Sequence, residues 1–444
     1  MENKFLEKWI IPTADAFLGT NFISELKFWR NHIANLSAVE LQALQKQKLQ
    51  SLLQYATTTI PFYKNLGITL TDNPYQNIKH FPILYKQVVK NHFEDLFIED
   101  RAKLVSEKSS GSSGIQGEVL MSKKENTQYQ AAQTFLWEWS GFRLGMPFLQ
   151  TGITPDRGFL KATKDKLFNT QYVNAYNISY GNAVTNLQIA QKRKTLFFGG
   201  YASSLNVYAE IAIKAGIQVP LQGVISWGDK LFDHYKANIS QAFGTTNIAE
   251  QYGTTEGFVI AGTCNHGKLH QLSPQTYLEL LDKNGNEVAP GELGYVVVTR
   301  LDAYSFPLIR YYLGDLAIKE ETSITCPCGK KMPILKKIIG RDTDVIQTPS
   351  GKYLVVHFFT GVFEHFPQIK QFRVIQKIVG QIFIEYIAGE GFTLEVLNQL
   401  SSKMYERAQE NFPIEWQAVS EIPPTASGKP QLVQSLVATR KIGN

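Results

Sequence analysis

Residues equipped for chemistry fall into short clusters along this chain. The densest is "KSSGSSGIQG" at 108–117. Ser109, Ser110, Ser112 and Ser113 bring hydroxyls, and Gly111 and Gly114 bring backbone that no side chain crowds. Two readings fit that composition. Gly/Ser runs form flexible linkers. They also form loops whose converging N–H groups and hydroxyls wrap a phosphate.

Four more clusters follow: "EQYGTTEGF" at 250–258, "IRYYLGDLA" at 309–317, "GRDTDVIQTPSGKYLVV" at 340–356 and "PPTASGKPQL" at 423–432. Taken singly, each is compatible with a Gly/Pro turn carrying charged neighbours. The cysteines form a further set. Cys264 lies in "GTCNHGKLH", and Cys326 and Cys328 lie in "ITCPCGKK". Thiolates and an imidazole make a tetrahedral zinc site. Three ligands are then Cys264, Cys326 and Cys328, and the residues leave His266 and His270 open as the fourth. A closed shell of four ligands is structural, with no position left for catalysis. The competing reading is three buried free thiols.

These clusters need elements to carry them. "LQALQKQKLQSLLQY" at 41–55 has apolar residues at helical spacing. "TTTIPFYKNLG" follows, punctuated by Pro61 and Gly67, and "FPILYKQVVKNHFEDLF" predicts a short helix after Pro82. Residues 1–100 thus form a mostly helical lead-in. Beyond the Ser/Gly loop, "KTLFFGGYASSLNVYAEIAIKAG" predicts a strand, a Gly turn and a helix ending near Gly216. "QVPLQGVISWGD" predicts a strand closing on a Gly-Asp turn. This alternation argues for an α/β region. From about Leu278 the pattern is strand-rich, with "NGN" and "APGELG" as turns and "YVVVTRL" as a strong strand. The expectation is a multi-domain α/β protein. A large N-terminal domain, 1–339, combines sheets and helices, and a small α+β C-terminal domain occupies 340–444. In the latter "QIFIEYIAG" is a strand and a helix runs from about Thr393 to Glu410.

A chain of 444 residues suits two or three domains. The net charge of +6 is compatible with an anionic ligand such as a nucleotide. It is too diffuse to argue for DNA or RNA. No apolar run is long enough to span a bilayer, and "MENKFLEKWIIPTADAF" does not read as a signal peptide. Three cysteines exclude a disulfide framework. A cytoplasmic protein is expected, without nucleic-acid or membrane partners; a homodimer is compatible with the chain.

In their order, the five clusters resemble the adenylate-forming (ANL) superfamily, and within it the phenylacetate–CoA ligase branch with its CapK-like relatives. The lead-in, "FFGGYASSL" and "GVISWGDKL" also look like that branch, so the resemblance spans nearly the whole chain. One departure is visible: Ile115-Gln116-Gly117 stands where many members of the superfamily have Pro-Lys-Gly.

The resemblance implies that a carboxylic acid, aryl or acyl, is activated by ATP as an acyl-adenylate and passed to a thiol, that of coenzyme A. Ser109–Gly114 is then the phosphate loop. Glu256 holds Mg²⁺, and Thr255, in the run Tyr252-Gly253-Thr254-Thr255, donates to the α-phosphate. Tyr252 faces adenine, with Gly228 and Asp229 at its edge, and Asp315 binds the ribose. Arg341 contacts nucleotide beside a hinge at 341–344, about which the mobile C-terminal domain turns to insert Lys429. The branch also favours His270 over His266 as the zinc ligand. Carrier-protein, amine and hydroxyl acceptors stay open.

Two other classes compete. A zinc-ribbon nucleic-acid binder explains the Cys/His set but neither "YGTTEG" nor "SGK". A P-loop kinase needs Gly-x4-Gly-Lys-Ser/Thr, and Gly428-Lys429 is followed by Pro430. Phe135, Trp137, Trp139, Phe198 and Tyr201 suit an apolar pocket and a core equally.

Overall fold

The computed structural model describes residues 5–108, 118–152, 158–175, 178–321, 325–341, 344–363, 365–423 and 432–437. Ser109–Gly114 and Lys429 lie outside them.

The lead-in is helical, as its spacing predicts. Its main helix, Ala38–Thr59, starts on a capping box between Ser37 and Glu40 and buries Leu49, Leu52, Leu53 and Ala56. The lead-in is bound to the rest of the chain. The buried Tyr63 hydroxyl donates to the Pro307 carbonyl at 2.7 Å and accepts from the Ile309 N–H at 3.1 Å. After a hairpin of β1 (Val105–Lys108) and β2 (Glu118–Met121) comes the helix Lys123–Trp137, also opened by a capping box.

The main sheet has 11 strands. In chain order they are β3 (Phe148–Gly152), β4 (Thr170–Asn174), β5 (Phe197–Tyr201), β6 (Gly223–Trp227), β7 (Ile248–Gly253), β8 (Val259–Thr263), β9 (Leu269–Gln271), β10 (Thr276–Leu281), β11 (Leu293–Arg300), β12 (Tyr311–Lys319) and β13 (Ile334–Arg341). In space they run β10-β11-β12-β13-β9-β8-β7-β6-β5-β3-β4. From β4 to β7 the pairing is parallel; from β7 to β10 it is antiparallel. The parallel half is the predicted α/β region. The helix Ala202–Ala215 follows β5 directly and stops at Gly216 in the left-handed conformation. The antiparallel half is the predicted strand-rich stretch, and it shares one core with the lead-in helices.

A second, four-stranded sheet lies in the C-terminal part: β16 (Ile369–Ile378), β17 (Gln381–Ala388), β18 (Ile414–Ala418) and β19 (Val433–Ser435), in the order β18-β17-β16-β19. Before it come the short pair β14 (Val345–Gln347) and β15 (Tyr353–Val355). The helix Leu394–Ala408 covers the sheet through Val396, Leu400 and Met404, in a core of its own. At the junction, Gly340 and Arg341 pair with Leu316 and Asp315 of β12. The large sheet therefore continues two residues past the division drawn at 339.

Candidate active site

In a mixed sheet of this kind ligands sit outside the carboxyl ends of the parallel strands. Here β5, β6 and β7 end side by side, at Tyr201, Trp227 and Gly253. The turn after β6 must be glycine. Gly228 has φ +82°, and a Cβ there would meet the Tyr201 ring at 2.5 Å. Asp229 follows, and its carboxylate accepts from the backbone N–H of Ala202 and, at 3.1 Å, of Ser203. It thus anchors the start of the helix Ala202–Ala215, where a negative charge is favoured.

The chain leaves β7 through Tyr252 and Gly253 into a tight turn, Thr254–Gly257, closed by the Gly257 N–H on the Thr254 carbonyl at 3.2 Å. Thr255 is exposed at its tip. The Thr254 Oγ1 is buried with no hydrogen-bond partner among the described residues. The Tyr252 hydroxyl donates to the Asp315 Oδ2 at 2.7 Å. On the other Asp315 oxygen lies the Arg341 guanidinium, 3.2 Å away, and Arg341 Nη1 also donates to the Leu313 carbonyl at 2.7 Å. Burial, and then the Asp315 charge, pushes the Tyr252 hydroxyl well above the usual tyrosine range, so it stays a donor. Three predicted residues from β7, β12 and β13 thus form one chain of contacts.

Glu256 gathers two residues that the sequence does not single out. The Tyr311 hydroxyl lies 3.5 Å from its Oε1, and Lys86 Nζ lies 3.9 Å from the same atom. Lys86 arrives because Leu84 of the lead-in bridges β12, exchanging hydrogen bonds with Arg310 and Tyr312. Burial lowers the Lys86 pKa, opposed by Glu256 and reinforced by Arg341. Arg310, behind this edge, is buried and paired with Glu279 at 3.0 Å. The one signal for Lys86 is its place in "FPILYKQ", which carries no chemical signature.

The Cys/His set comes together elsewhere. One donor atom each of Cys264, His270, Cys326 and Cys328 lies within 4.8 Å of every other. Cys264 sits on a tight turn after β8 (Gly267 N–H to Cys264 carbonyl, 2.9 Å), and Cys326-x-Cys328 sits on another (Gly329 N–H to Cys326 carbonyl, 3.1 Å). His270 is fully buried on β9. Its Nδ1 faces the Met332 carbonyl at 3.0 Å and its Nε2 faces Cys328 Sγ at 3.3 Å. Such a carbonyl fixes the tautomer that leaves Nε2 free to ligate. Burial lowers the His270 pKa, favouring the neutral ring that a metal needs. His266 is exposed and is not part of the cluster.

Of the aromatic candidates, Phe198 and Phe135 are core residues. Trp137 is half-buried, stacked on Trp227 with ring centres 5.2 Å apart. Trp139 lies edge-on to His270.

Residues 346–435 match the family described as the CapK C-terminal domain. The chain is 22% identical over 338 residues to a phenylacetate-coenzyme A ligase of Thermus thermophilus, covering 72% of this chain and 74% of that protein. A 2-hydroxyisobutyryl-CoA ligase solved in a post-adenylation state with 2-HIB-AMP superposes with a TM-score of 0.68 at 17% identity, over 90% of each chain. The same ligase scores 0.64 in an open conformation and 0.58 in its thioesterification state. ATP-bound MatB from Rhodopseudomonas palustris scores 0.54 at 16% identity, over 75% of this chain and 67% of that one. The chain has the fold of these adenylate-forming ligases, and in sequence it resembles a phenylacetate–CoA ligase and, over residues 346–435, the CapK C-terminal domain.

Proposed function

We propose that this chain is an AMP-forming carboxylate ligase. It joins an aryl or acyl carboxylic acid to the α-phosphate of ATP and passes the acyl group to the thiol of coenzyme A. The observation that carries this reading is the Tyr252–Asp315–Arg341 chain of contacts beside Glu256, at the carboxyl edge of the parallel strands. The fold is one in which relatives are solved with acyl-adenylates and with coenzyme A.

In the first step a carboxylate oxygen attacks the α-phosphorus, and the bond to pyrophosphate breaks. Two anions meet, so the protein must fix their geometry and offset charge. Asp315 is an acceptor for the ribose hydroxyls, and its bond from Tyr252 leaves the tyrosine ring as a flat wall for adenine. Thr255, at the turn's tip, and the Thr254 hydroxyl, which has no partner among the described residues, are donors for phosphate oxygens. Glu256 is a hard oxygen ligand for the Mg²⁺ that comes with ATP. Lys86, at the start of the short helix Lys86–Asn91, adds a cation 3.9 Å from it, in a chain that has Ile115-Gln116-Gly117 where many members of the superfamily have Pro-Lys-Gly.

Ser109–Gly114 and Lys429 enter this proposal from the sequence alone. The first holds the leaving phosphates, and the second bridges the attacking carboxylate and the α-phosphate. Residues 340–444, turning at 341–344, then free the adenylate for the thiol. Cys264, His270, Cys326 and Cys328 fit one zinc ion in number and donor type, and its contribution would be to tie two turns to β9.

The test is incubation with Mg·ATP and a panel of carboxylic acids, with and without coenzyme A. AMP and pyrophosphate are expected with a subset of the acids, and a thioester only when coenzyme A is present. ADP as product, or no pyrophosphate with any acid, overturns the proposal.

A further inference from the structure

Lys230, two residues beyond Gly228, reaches across 109 positions of sequence to donate its Nζ–H to the Ile339 carbonyl at 2.6 Å. That carbonyl has a particular place in the sheet. Along β12 and β13, Leu316 pairs with Gly340 and Ala317 with Ile338. Ile339 is therefore the extra residue of a β-bulge. A bulge leaves one residue outside the regular ladder, bends its strand and re-aims the side chains that follow. The next residue, Gly340, has φ +128°, which a side chain would oppose. The residue after it is Arg341, facing Asp315.

We propose that Lys230 is a positioning residue: by holding the Ile339 carbonyl it latches the bulge, so that Arg341 is delivered to Asp315 at the entry to the C-terminal domain. The latch ties the loop after β6 to the strand leading into the C-terminal domain, so one edge of the site senses the other. The charges around Lys230 suit that place. Lys337 of β13 repels it, while Glu250 of β7, Asp344 beyond the bulge and Asp233 of the next helix attract it. Burial brings its pKa down to about 8. Lys230 is half-buried, so a methionine of similar length, which keeps the packing of the stem, is not expected to lower stability.

This inference rests on the proposed adenylation only for its ligand readout, and the experiment keeps the two apart. Hydrogen–deuterium exchange of the segment 334–347 is measured without nucleotide in wild type, Lys230→Met and Lys230→Arg. ATP binding is measured by calorimetry in the same proteins, in Arg341→Ala and in the Lys230→Met/Arg341→Ala double variant. Exchange is expected to rise in Lys230→Met and to return toward wild type in Lys230→Arg, with Tm held or raised. ATP binding should weaken about tenfold in Lys230→Met, the size of one charge-assisted hydrogen bond. It should weaken little further when Arg341 is already absent, because the latch acts through that residue. Unchanged exchange overturns the latch, as does additive loss in the double variant. Raised exchange in a protein that binds no ATP at all keeps the latch and overturns the adenylation reading.

Discussion

The Tyr252 hydroxyl and the Asp315 carboxylate meet at 2.7 Å, joining β7 to β12 across the carboxyl edge of the main sheet. The bond fixes Asp315, with Arg341 on its other oxygen. A rigid acceptor binds a pair of ribose hydroxyls with less ordering cost than a free one.

Tyr252→Phe is expected to raise the KM for ATP about tenfold with little change in kcat, since a hydrogen bond to a charged group contributes roughly 1.5–3 kcal/mol. Asp315→Ala removes the acceptor itself and should cost more. Steady-state kinetics on pyrophosphate release check both. Equal KM values in wild type and Asp315→Ala would remove Asp315 from the nucleotide site.

How much of this site the sequence shows depends on how each residue acts. Tyr252, Glu256 and Asp315 are legible because local runs, "YGTTEG" and "LGD", hold both the group and the turn that aims it. Lys86 and Lys230 are not, because what they do is set by partners at Glu256 and Ile339, 170 and 109 positions away. The bulge at Ile339 is a property of register between two strands, and no local pattern in "KKIIGRD" announces it. Asp229 shows the reverse problem. Its type and place suit a ligand's edge, but its carboxylate is engaged by a helix start that only the folded chain brings near. The fold is easier, because strand and helix periodicities are local. The pairing of eleven strands into one sheet, part parallel and part antiparallel, is not, since it rests on contacts remote in sequence.

The Cys/His cluster yields a prediction independent of catalysis. One zinc per chain is expected by metal analysis of protein purified without chelator. Stripping the metal, or Cys326→Ser, should lower Tm by roughly 3 °C, as a loss of about 2 kcal/mol does in a domain of this size. Turnover of the fraction still folded should change little. Metal-free protein with an unchanged Tm would make the three thiols ordinary free cysteines.

Lys429→Ala is expected to lower the adenylation rate by about 10²–10³, the usual effect of removing one preorganised electrostatic donor. ATP binding and Tm should stay near wild type, because the lysine is proposed to act on the reacting groups and not on the resting fold. Pyrophosphate exchange separates this from the second half-reaction. Exchange at the wild-type rate in the variant would take Lys429 out of the chemistry.

The Ser109–Gly114 run is tested through its proposed neighbour. A linker tolerates large side chains; a phosphate cradle does not, because they fill the space the phosphates need. The run and Glu256 are far apart in sequence, so only a shared Mg·ATP gives them a common effect. Gly111→Val and Glu256→Gln should each weaken use of Mg·ATP, and the double variant should fall short of the summed loss, as residues serving one ligand do. Additive losses would place the two on separate tasks. A Gly111→Val protein with wild-type ATP affinity and adenylation rate would make "SSGSSG" the linker its composition also allows, and Lys86 and Glu256 would then have to hold the phosphates without it.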